Sequence, residues 1–97
     1  MDRDLKDDLL RSCRSIPANA AEGFGYFEPK QFAKYLRIAR ASTMETKNHL
    51  LECGPFFSAA DVTRMLDLTS RTLAALAGLI RYLDSCDRRR RNARRRR

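Results

Sequence analysis

Two polar pairs stand at helical spacing in this 97-residue chain: Asn19 with Glu22, and Ser42 with Glu45, each three residues apart. Residues at i and i+3 share one face of a helix. If two such helices pack antiparallel with these faces together, two carboxylates meet beside an amide and a hydroxyl, the raw material of a metal or acid–base site. Di-metal bundles take their ligands from Glu-x-x-His motifs, and neither pair contains a histidine. Carboxylates alone make a poor transition-metal site. The four residues therefore read as a structural polar network that fixes helix register, with Arg14 or Arg40 as charge partner.

His49 and Cys53, four apart, would make half a zinc site, completed only if Cys13 or Cys86 arrived in the right place. One histidine and three scattered cysteines lack the paired spacing of zinc modules. The expectation is packing for the cysteines and a helix-surface position for His49, with no metal and no cofactor. Gly23-x-Gly25 ends a helical pattern, whereas phosphate-cradling glycines precede a helix. No catalytic residue emerges, and the chain reads as non-enzymatic.

The charge pattern carries the clearest chemistry. The formal net charge is +8, and residues 88–97 hold eight of the twenty basic residues: Arg88, Arg89, Arg90, Arg91, Arg94, Arg95, Arg96 and Arg97. The remaining 87 residues are neutral in sum, with twelve basic and twelve acidic groups. Guanidiniums pair with phosphates through bidentate hydrogen bonds. Such binding reads charge and not sequence, because no aromatic residue interleaves with the arginines to stack on bases. Lys34 and Arg37, with Arg40 and Lys47, extend a basic face along the second helix. The bland reading of the same residues is a solubilising tail and a solvated helix face.

The elements that must position these groups are helices. Leu5, Leu9, Cys13, Ile16, Ala20 and Phe24 form a stripe at spacings of three and four. Pro17 lies inside it, where a kink or local restart is expected. Gly23-Phe24-Gly25 supplies the stop. A second helix opens at Glu28-Pro29, carries the heptad seam Phe32, Leu36, Ala39, Thr43, Thr46, Leu50 and Cys53, and ends at Gly54-Pro55. A third opens at Ser58 with a Ser-x-x-Asp capping box. Its seam is Val62, Leu66, Thr69, Leu73, Leu76, Ile80 and Leu83, with a second stripe of Met65, Leu68, Thr72, Leu79 and Tyr82. A helix with two apolar stripes is buried from two directions, and in a three-helix chain one of those directions is another subunit.

The fold class expected is all-α: an up-and-down antiparallel bundle of four-helix type with three long helices in this chain, self-associating. Residues 1–87 form the bundle domain and 88–97 a disordered arginine-rich tail. No run approaches the roughly 18 apolar residues of a membrane span. The charged N-terminus leads into no signal core. An odd number of cysteines without paired spacing fits a reducing compartment, so a cytoplasmic location is expected.

Residues 10–23, LRSCRSIPANAAEG, followed by residues 32–45, FAKYLRIARASTME, resemble the bacterial four-helix-bundle proteins encoded within intervening sequences of 23S ribosomal RNA genes. They are similar also to the accessory variability determinant of diversity-generating retroelements. The resemblance spans roughly residues 9–84, and Ser15, Pro17, Asn19, Glu22, Gly23, Leu36, Ala39, Ser42 and Glu45 match the recurrent pattern. It implies an up-and-down bundle, self-assembly (pentameric barrels in the retroelement relatives) and a role in binding RNA, and no known catalytic activity. The helix that usually precedes the Ser-Ile-Pro segment is absent here: either the start site is late, or this member uses three helices and borrows closure from neighbours. The arginine tail is not a family hallmark. The functional expectation is a self-associating bundle that binds RNA or other nucleic acid electrostatically. The alternative is an adaptor whose open apolar groove receives a helix from a protein partner.

Overall fold

Asp2 starts the first helix by accepting the Asp4 backbone N–H on its side chain at 3.3 Å, and α1 then runs Arg3–Phe24. Pro29 opens α2, Pro29–Cys53, in the first turn where its missing N–H is harmless. A single 3₁₀ turn, Gly54–Phe56, carries the chain round to α3, Ala59–Arg95. The Ser58 hydroxyl accepts the Asp61 N–H at 3.1 Å, closing the cap expected there. The structure, a computed structural model, describes residues 1–96, and among them every regular element is helical.

α2 is the centre of the molecule. Both α1 and α3 lie antiparallel along it and scarcely touch one another. The apolar core sits in one half of the resulting slab, where Ala33, Leu36 and Ala39 of α2 meet Leu76, Ile80 and Leu83 of α3, with Ile16, Ala20 and Phe32 packed at its margin. The expected seam of α2 is the buried one: Leu36, Ala39, Thr43, Thr46, Leu50 and Cys53 all lie inside. The slab measures 59 × 22 × 15 Å, its long edge set by α3.

α1 departs from its expected face. Its buried residues are Ser12 and Gly23, while Cys13 is exposed. Ser12 is tolerated inside because Thr46 Oγ1 donates to its hydroxyl at 2.9 Å and the hydroxyl donates to the Leu9 carbonyl at 3.1 Å. Gly23 lets the end of α1 close on α2, since a Cβ there would stand 2.6 Å from Tyr35 Cβ. The helix is also continuous through Pro17. Pro17 and Cys13, whose carbonyl loses its usual donor, both lie on the exposed side of α1.

The arginine segment is the second departure. Where disorder is expected from residue 88, α3 continues to Arg95. Arginine is a good helix former, Asp87 pairs with Arg91 one turn on at 3.5 Å, and cations in the last turn oppose the helix dipole. Arg97 lies outside the described residues.

Candidate nucleic-acid interface

The antiparallel register of α2 and α3 decides where the arginines stand. Arg37 of α2 forms an ion pair with Asp84 of α3. Eight residues from Arg37 toward the start of α2 is Pro29, and eight beyond Asp84 is Asn92. At 1.5 Å per residue each lies about 12 Å from the pair, so the arginine turns flank the first turns of α2. Lys34 lies within that span and is exposed. Arg88 to Arg96 are exposed as well.

Charge is thereby gathered at one end. Residues 22–40 and 81–95 hold eleven basic groups against four acidic ones, whereas residues 1–21 and 41–80 hold seven against eight. Two of the eleven are compensated, Arg37 by Asp84 and Arg91 by Asp87. Arg89 donates to the Cys86 sulfur at 3.4 Å. A cleft of about 450 Å³ lined by Arg81, Asp84, Asp87, Arg88 and Arg91 runs along this side of α3. An array of guanidiniums on a helix can meet successive phosphates of a strand laid beside it.

The polar network predicted between α1 and α2 divides in two. Ser15 and Ser42 hydroxyls lie 2.8 Å apart, and Asn19 Nδ2 donates to Ser15 Oγ at 2.9 Å and to the Ser15 carbonyl at 2.8 Å. Glu45 joins from the surface through Arg11, at 2.9 Å, in place of Arg14 or Arg40. That hydrogen bond holds the Glu45 carboxyl below its ordinary range and raises the Arg11 guanidinium further. Glu22 is not part of the network: it is exposed, lining a shallow concavity with Ala18, Ala21, Gly25 and Tyr26. The two carboxylates are thus apart, and the geometry offers register, not acid–base chemistry.

His49 is half-buried and not the open surface residue expected. Both ring nitrogens are buried without a hydrogen-bond partner. Cys53 lies fully inside, its thiol pushed up by burial and then by Glu52, and it donates to the Met1 sulfur at 3.9 Å. Cys13 is exposed on α1 and Cys86 lies far along α3, so the zinc half-site finds no complement. No group of three or more His, Cys, Asp or Glu gathers to hold a metal among the described residues.

Beyond the core the three helices leave a groove between them. Leu9, Leu10, Cys13 and Ile16 of α1, Thr43, Thr46 and Leu50 of α2, and Met65, Leu68, Thr69 and Thr72 of α3 line an apolar groove of about 320 Å³. Leu68 is 51% exposed in it. Three residues of the expected second stripe of α3, Met65, Leu68 and Thr72, thus face this groove, while Leu79 and Tyr82 are exposed nearer the arginine end. No described helix is long and apolar enough to cross a membrane.

The family model described as 23S rRNA-intervening sequence protein matches residues 1–76. No curated protein and no solved structure matches the chain significantly.

Proposed function

The chain belongs to the 23S rRNA-intervening sequence protein family, and on that premise we propose a non-enzymatic, self-associating helical bundle that binds RNA or other nucleic acid electrostatically. The observation that carries the reading is the bipolar charge: an excess of seven positive groups at the end of the slab where α3 emerges, on a body otherwise near neutral. Arg88, Arg89, Arg90, Arg94 and Arg95 supply the contacts, with Lys34 beside them, and Arg96 extends the array. The apolar groove supports the self-association. A second copy laying a helix into it would complete a four-helix arrangement, and several arginine helices in one assembly would act together.

The test is fluorescence anisotropy of a labelled RNA across a salt series, comparing the full chain with a variant in which Arg88–Arg91, Arg94 and Arg95 are glutamine. Tight binding with a log–log salt slope of about −4 to −6, largely lost in the variant, is the expected result. Equal binding by both would move the contact elsewhere on the body.

A second reading, an adaptor taking a partner's helix, rests on the same groove. Sedimentation separates the two. Self-association predicts an oligomer that Leu68→Glu reduces to a monomer, whereas an adaptor is monomeric before any substitution.

A further inference from the structure

The turn between α1 and α2 displays three aromatic side chains within four residues. Phe24 is 59% exposed, Tyr26 50% and Phe27 84%. Phe27 also has φ 52°, among the described residues the only non-glycine in the left-handed region. For a bulky side chain that conformation is strained, and strain persists only where surrounding contacts hold it. Here Phe27 N–H donates to the Phe24 carbonyl at 3.2 Å and Tyr26 N–H to the Gly23 carbonyl at 3.3 Å. The Phe27 ring leans on Phe24 at 5.7 Å, and Phe24 meets Phe32 edge-on at 5.8 Å. Tyr26 stacks on Tyr35 at 5.5 Å with 17° between planes, and a hydrogen bond between the two hydroxyls keeps Tyr26 protonated above its usual range. The rings are therefore held in place from beneath while their outer faces stay open.

The register derived above brings this turn level with the arginine segment. Phe24 packs on Phe32 in the first turn of α2, and Arg88 to Asn92 flank the same turns from α3. Sequence separates these two groups by some sixty residues, but the fold sets them at one end of the slab. Open aromatic faces at the same end of the molecule as a cation array, of which Arg91 alone is paired with a carboxylate, are what sequence-tolerant binders of single strands combine: bases stack on the rings while phosphates follow the charges. A duplex keeps its bases stacked on each other and has none to offer.

We propose that Phe27, with Phe24 and Tyr26, is a base-stacking platform for single-stranded nucleic acid whose phosphates lie along Arg88–Arg95. The inference rests on the nucleic-acid reading above and names its substrate class. The chain has no tryptophan, so Phe27→Trp introduces a lone reporter. Its emission should be quenched by a twelve-nucleotide single strand and unchanged by an abasic strand of the same length. Phe27→Ala, at a position too exposed to unsettle the fold, should weaken single-strand binding about tenfold, leave the salt slope unaltered, and leave abasic-strand and duplex binding as in the parent chain. Unquenched tryptophan, or equal loss on intact and abasic strands, overturns the platform. If the arginine-to-glutamine variant fails to bind while Phe27→Ala binds as the parent does, the electrostatic reading stands and this one falls. If the parent chain binds no strand but binds vesicles containing anionic lipid, and Phe27→Ala does not, both fall in favour of a membrane surface.

Discussion

Replacing Gly23 by alanine sets two effects of opposite sign against each other. The new Cβ would stand 2.6 Å from Tyr35 Cβ, 3.1 Å from Phe32 Cδ1 and 3.2 Å from the Phe32 carbonyl oxygen. Tyr35 Cβ is fixed by the backbone of α2 and no rotamer removes it, so the last turn of α1 must lift away. Overpacking of this kind costs about 1–3 kcal/mol. The intrinsic preference of a helix for alanine over glycine returns at most about 1 kcal/mol, and less in a terminal turn. The clash wins, and the expected net loss is about 1 kcal/mol, a fall in Tm of about 4–8 °C for a chain of this size. Gly78→Ala is the internal standard. In mid-α3 its Cβ would meet only Arg81 Nη2 at 3.9 Å, so the same chemical change should stabilise by about 0.5–1 kcal/mol. Urea unfolding followed by far-ultraviolet circular dichroism, at one protein concentration so that assembly is held constant, reads both midpoints. If Gly23→Ala raised the midpoint as Gly78→Ala does, the close approach of α1 to α2 would be refuted.

Two further outcomes follow from the interior and the seam. His49→Leu removes two buried ring nitrogens that lack partners and should raise stability by about 1 kcal/mol, read by the same urea midpoint. The Arg11 hydrogen bond depresses the Glu45 pKa in the folded chain, so the pair contributes stability that is present above the ordinary value of 4.5 and fades as pH falls through the lower folded value. Acid titration of stability should accordingly be shallower below pH 4.5 in Glu45→Gln than in the parent chain.

The seam of α2 was legible because its buried positions are apolar residues and threonines at unbroken heptad spacing, a pattern that hydropathy alone reveals. α1 was misread for a physical reason. Beside the half-buried Leu9, Ile16 and Ala20 of the expected stripe, its inward side takes in Ser12, Ser15, Asn19 and Gly23, whose burial depends on a partner's hydroxyl or on backbone proximity, neither of which periodicity records. The Asn19 and Ser42 half of the polar network was visible from spacing. The exclusion of Glu22 was not, since one extra residue of helical rotation decides it. Composition suggested disorder for the arginines and hid their continuity with α3, to which Asp87 contributes a local charge pair with Arg91. The aromatic turn escaped notice because its neighbours are set by the register of α3, a relation between distant residues.

The division of labour around α2 has a kinetic consequence. The core buries apolar side chains of α2 and α3, whereas α1 contributes no fully buried apolar side chain: it packs Ile16 and Ala20 half-buried against the core and otherwise meets α2 through hydroxyls and a glycine. Releasing α1 therefore exposes half-buried apolar side chains and no fully buried ones, and its hydrogen bonds exchange for water at small net cost. α2 and α3 form one cooperative unit, and α1 is a separate, weaker one that opens first. Its amides should exchange with solvent deuterium well before those of Leu36 or Ile80, so that the chain breathes by lifting a single helix from an otherwise intact hairpin.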